Sequence, residues 1–144
     1  MKQTHENVSD VMSAASGRHR EQVDLLISRL HLLEGRAKVM MKMHFEKGNS
    51  FRQMARLLGV SESSVARRIH RISSRLLDGR YIACLRNRDR LTLDQMSVAK
   101  DYFLRGLSQS KIAENKQWSL YRVGRTIREI ESVIARTQQR SRRA

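Results

Sequence analysis

The stretch Asn49–Leu77, NSFRQMARLLGVSESSVARRIHRISSRLL, decides the fold. Its apolar residues recur at three- and four-residue steps, the period of a helix with one buried face, and show no strand-like alternation. Ser50 stands where an N-cap is needed and predicts a short helix from about Phe51 to Leu58 that buries Met54, Ala55 and Leu58. Gly59-Val60-Ser61 interrupts that pattern: the glycine supplies a positive φ without steric cost, Val60 plugs the core at the bend, and Ser61 caps the next helix. From Ser61 this longer helix places Val65, Ile69, Ile72 and Leu76 on one face before Gly79 ends it. Ala55 is small enough to let the two helix backbones approach, and the opposite face of the second helix carries Ser63, Arg67, His70 and Arg71. Two helices joined by so tight a bend form a helix-turn-helix.

The chain contains this pattern a second time. An offset of 58 residues aligns Gly48 with Gly106, Ser50 with Ser108, Ala55 with Ala113, Ser61 with Ser119, Val65 with Val123, Arg67 with Arg125, Ile69 with Ile127 and Ile72 with Ile130, without a gap. Each copy is expected to hold three helices, the first bearing Ala37, Met40, Met41, His44 and Phe45 in one copy and Met96, Ala99, Tyr102 and Phe103 in the other. The copies differ at the bend, where Gln117 replaces Gly59 and Trp118 replaces Val60, so the second bend is either strained or differently shaped.

Outside the repeat, residues 1–17 are small and polar and read as a mobile tail, and residues 18–32 as an amphipathic helix with Val23, Leu26, Ile27, Leu30 and Leu33 at helical spacing. The expected organisation is then a first helix-turn-helix unit over 33–78, a helical connector over 79–90, a second unit over 91–136 and a basic tail over 137–144. The fold class is all-α, two tandem three-helix units with an N-terminal amphipathic helix. The absence of proline and the low aromatic content agree with it.

Lys and Arg total 29 against 14 Asp and Glu, a formal charge of +15, which favours a polyanionic partner. The excess lies downstream: residues 1–32 hold four bases and four acids, whereas 61–90 hold eight arginines against three acids and 119–144 seven against two. No apolar run is long enough to span a bilayer and the start lacks a signal peptide's apolar core, so a soluble, cytoplasmic protein without membrane contact is expected. Cys84, alone and among Ile82, Ala83 and Leu85, reads as a small buried hydrophobe.

On these residues the segment Leu33–Leu77 resembles region 4 of bacterial sigma factors and the similar LuxR-type helix-turn-helix. The resemblance rests on Ala55, Leu58, Gly59, Val60, Ser61 and Val65. GLSQSKIAENKQWSLYRVGRTIREI, from Gly106 to Ile130, is similar more loosely, departing at Gln117 and Trp118. The resemblance implies sequence-directed binding of double-stranded DNA in a bacterial-type transcription regulator, with RNA polymerase as a further candidate partner. No aromatic-rich segment suited to melting DNA is found, so a complete sigma factor is not expected.

A major groove about 12 Å wide admits one helix with its side chains. Ser63, Ala66, Arg67 and His70 are therefore expected at base edges in the first unit, and Tyr121, Arg125 and Arg128 in the second. Arg67 is the strongest candidate, since a guanidinium can donate twice to guanine. Arg52, Arg56, Arg68, Arg71, Arg75, Lys111, Lys116 and Arg122 are expected at phosphates, fixing register. The five histidines have no metal-ligand spacing with Cys84 or the carboxylates, and no phosphate-binding glycine loop occurs, so neither catalysis, cofactor nor metal is expected. The rival reading is a sigma-like adaptor that binds polymerase or another protein and touches DNA nonspecifically. The chain is expected either as a monomer with pseudo-dimeric units or as a homodimer.

Overall fold

The computed structural model describes residues 17–143, so the expected tail over 1–17 lies almost wholly outside the described residues. Among the described residues there are eight α-helices and no strand, which makes the fold all-α. The chain divides into two compact units, Met1–Ser73 and Ser74–Ala144, with the division falling inside a continuous helix.

In the first unit, α1 spans 17–29 and tightens into a 3-10 turn at Leu30–Leu32. It buries Leu26, Leu30 and Leu33, whereas Ile27, expected on the same stripe, remains exposed. The step from 26 to 30 to 33 follows one side of the helix, and Ile27 falls about 100° away from Leu26. Next comes α2 (Gly35–Phe45), with Met40 and Met41 buried and Ala37, His44 and Phe45 half-buried. Ser50 opens α3 (Phe51–Leu58) in a capping box: the Gln53 amide donates to the Ser50 hydroxyl at 3.1 Å and the Ser50 amide donates to the Gln53 side chain at 2.9 Å. This helix buries Met54 and Ala55, but Leu58 is only half-buried because the chain turns away at Gly59. Helix α4 (Glu62–Asp78) buries Val65, Ile69, Ile72 and Leu76, as its periodicity predicts.

The second unit takes in the residues expected as a connector. Helix α5 (Arg80–Arg86) buries Cys84 completely within the cluster formed by Val98, Phe103, Ile112, Val123, Ile127, Ile130 and Ile134, and so belongs to the core. Burial pushes the Cys84 thiol up to about 11, which keeps it protonated and inert at neutral pH. At the head of α5 the Arg80 guanidinium, 2.8 Å from the Asp78 carboxylate, holds that carboxyl below its usual range and lies over the Phe103 ring.

Thr92 caps α6 (Leu93–Ala99) in a second capping box with Gln95, and the helix continues as a π turn over Lys100–Leu104. Helices α7 (Gln109–Lys116) and α8 (Leu120–Arg143) complete the unit. The expected tail over 137–144 is instead the continuation of α8 through Arg143, since nothing in the sequence after Ile134 breaks a helix.

Candidate nucleic-acid interface

The geometry of the first bend follows from its residues one by one. Gly59 takes the left-handed conformation, φ 68°, and its amide donates back to Ala55, as does the amide of Val60 at 3.1 Å. Beyond the bend, the Ser61 hydroxyl caps α4 by accepting from the amide of Ser64, the third residue of the helix, at 3.2 Å. The Ser61 hydroxyl also meets those of Ser63 and Ser64, so the head of α4 is a rigid, hydroxyl-rich corner.

With Val65 and Ile69 buried, the far side of α4 must face solvent. It does so: Ser63, Arg67, Arg68, His70 and Arg71 are exposed and Ala66 is half-buried. Arg67 reaches no further than the Ser64 hydroxyl, at 3.4 Å, which leaves its guanidinium directed outward. His70 has its ring edge toward Phe51 at 6.3 Å, and Phe51 stacks on His44 at 4.6 Å, so the side chains beside the exposed face of α4 are braced. Arg52 and Arg56 are exposed on α3.

The hydrogen bonds of this bend, and of the turn between α2 and α3, recur at the 58-residue offset. Lys47 to Lys42, Asn49 to Met43, Val60 to Ala55 and Val65 to Ser61 have counterparts in Arg105 to Lys100, Leu107 to Asp101, Trp118 to Ala113 and Val123 to Ser119. Ser108 and Ser119 accept from Lys111 and Arg122 as Ser50 and Ser61 accept from Gln53 and Ser64. Gln117 keeps the left-handed conformation, φ 57°, so of the two possibilities for this bend the backbone takes the strained one.

The side chains around that backbone differ. Trp118 is half-buried against the core, with the Arg122 guanidinium 3.7 Å above its ring. Arg122 also approaches Asp94 at 3.8 Å, Arg125 pairs with Glu129 at 3.2 Å, and Lys116 donates to the Ser97 hydroxyl at 2.6 Å. Of the expected base-reading residues here, Tyr121 and Arg128 are exposed on α8, while Arg125 is exposed but ion-paired along its own helix. Lys111 is exposed within reach of Glu114 at 3.7 Å.

Arg75, expected at a phosphate, is placed apart from the exposed Arg68 and Arg71 of the same helix. It is half-buried, its Nε donates to the Leu104 carbonyl at 3.1 Å, and its guanidinium fills the space beside Gly106. A cation at the carbonyl end of the α6 segment is favourable both as a hydrogen bond and against the helix dipole. The Asp94 and Glu129 partners were also missed in the sequence, although Glu129 stands four residues after Arg125, a spacing at which helical side chains meet.

The fold and the exposed face of α4 together define a helix-turn-helix protein of the all-α class. Residues 24–76 match the family model described as Sigma-70, region 4, a DNA-binding helix-turn-helix module without enzymatic activity. The match begins inside α1, earlier than the Leu33 start of the sequence resemblance, in keeping with the burial of Leu26 and Leu30. Comparisons with curated proteins and with solved structures returned no match. No group of three or more potential metal ligands occurs among the described residues, and none of their helices is long and apolar enough to cross a membrane.

Proposed function

We propose that this chain binds double-stranded DNA in a sequence-directed way, as a bacterial-type transcription regulator, with α4 of the first unit in the major groove. The observation that carries the reading is the outward face of α4 in the segment that matches sigma-70 region 4: Ser63, Arg67 and His70 stand clear of the core behind a capped, rigid bend. Arg67 is the base-reading arginine, Ala66 leaves room for the groove floor, and Arg68, Arg71, Arg52 and Arg56 take phosphates on either side. The second unit, whose Arg122 and Arg125 are tied to carboxylates, contributes less to reading.

Selection of bound duplexes from a random pool at physiological salt tests this. The intact chain should enrich one motif, and Arg67→Ala should blur it, a contact of this kind being worth about 1 to 3 kcal/mol of base discrimination. Arg125→Ala should leave the motif intact. If nothing is enriched over nonspecific binding, the reading fails and an adaptor that binds RNA polymerase takes its place.

A further inference from the structure

The two units present different chemistry at matching positions. Where the first unit has Arg36 and Arg71, the second has Asp94 and Glu129, and where the first has Gly35, Glu62 and Ser63, the second has Leu93, Leu120 and Tyr121. The basic partners are thus exchanged for acids and the small or polar positions for large apolar ones. Two of these positions, Asp94 and Glu129, share one cleft, and the three apolar ones are next to its lining residues in the chain. Asp94, Gln95, Trp118, Arg122, Arg125 and Glu129 line a cleft of about 270 Å³. Leu93 lies in the chain between two residues of one wall, and Leu120 and Tyr121 lie between two residues of the other. Despite their size Leu93, Leu120 and Tyr121 are 90%, 55% and 71% exposed. Exposed leucine and tyrosine grouped around one cleft are what a protein contact uses and a solvated face does not need.

Charge identifies the occupant. Arg122 with Asp94 and Arg125 with Glu129 balance the charge of the cleft lining, with Lys116 over the Trp118 ring as one added cation beside it, so the cleft attracts a polyanion less than the rest of a chain whose formal charge is +15. A cleft that carries both signs, with exposed Leu93, Leu120 and Tyr121 beside it in the chain, can be self-complementary: rotated by a two-fold axis, each arginine can meet a carboxylate of the other copy. We infer that the face around Trp118, Arg122 and Asp94 is where a second copy of this chain docks, two-fold symmetrically. Local charge balance is what lets two strongly basic chains approach there.

Sedimentation velocity of the full chain, without DNA, tests the inference independently of any DNA reading. The wild type should be dimeric at about tens of micromolar, the range of an interface of modest size. Leu120→Ser with Tyr121→Ser should be monomeric at the same concentration with unchanged helical circular dichroism, both side chains being exposed. Arg125→Glu should weaken the dimer by about tenfold or more, and adding Glu129→Arg should restore it. A wild type that stays monomeric, a double-serine variant that dimerises as well as wild type, or an Arg125→Glu variant with unaltered dimer affinity would each overturn the inference.

Discussion

Gln117 holds φ 57° at the position where Gly59 holds 68° in the first unit. The Cβ of an L-residue there crowds the following carbonyl at a cost of roughly 1 to 2 kcal/mol, while glycine escapes that cost but surrenders more chain entropy on folding. The strain is the larger of the two, so Gln117→Gly should stabilise the second unit by about 1 kcal/mol, and Gly59→Ala should destabilise the first by a similar amount. Urea unfolding of the two variants followed by circular dichroism checks both signs; a destabilising Gln117→Gly would mean that its side chain makes a contact worth more than the strain. Arg75 can be separated from its expected role in the same way. Arg75→Met retains the aliphatic stem but loses the bond to the Leu104 carbonyl, and should lower stability by about 1 to 2 kcal/mol. DNA affinity measured below the unfolding transition should be unchanged, because a guanidinium turned toward Leu104 has no phosphate to lose.

At the scale of the element, what could be read in the sequence was whatever is decided within a few residues. Ser50, Ser61, Ser108 and Ser119 each cap the helix that comes after them, and the buried face of α4 is the one its spacing demands. The Thr92–Gln95 capping box had the same local signature. The outcomes that were not legible depend on residues distant in the chain. Arg75 and Leu104 are 29 positions apart, and nothing around Arg75 distinguishes it from Arg68 or Arg71. The placement of α5 in the core likewise depends on α6 and α8 forming a surface for Cys84 to enter. Capping energetics supply an element-scale prediction. Ser50→Ala removes one half of a reciprocal box at the helix that supports the reading corner, and should cost about 1 kcal/mol. Ser108→Ala should cost less, because Lys111 at the third position of α7 offers no acceptor to complete a box. Comparing the two by thermal unfolding tests the difference; equal losses would show that reciprocity contributes nothing here.

For the whole molecule, the net charge says that DNA affinity must fall with salt, and the side-chain partners say how steeply. Each phosphate neutralised contributes about −0.9 to the slope of log K against log salt concentration. If every expected phosphate contact engaged DNA, the eight residues Arg52, Arg56, Arg68, Arg71, Arg75, Lys111, Lys116 and Arg122 would give a slope near about −7. Arg75 is turned to Leu104, Arg122 sits on Trp118 and near Asp94, Lys116 binds Ser97 and Lys111 lies near Glu114, so half of that charge has an internal alternative. The slope per chain should therefore be about −4, carried by Arg52, Arg56, Arg68 and Arg71. Fluorescence anisotropy of a labelled duplex, titrated between about 50 and 200 mM salt, measures it. Arg71→Ala should reduce the magnitude by about 1, whereas Arg122→Ala should change it little. A slope of about −7 per chain, or an equal response to both substitutions, would place the second unit on the phosphates and require its ion pairs to open when DNA binds.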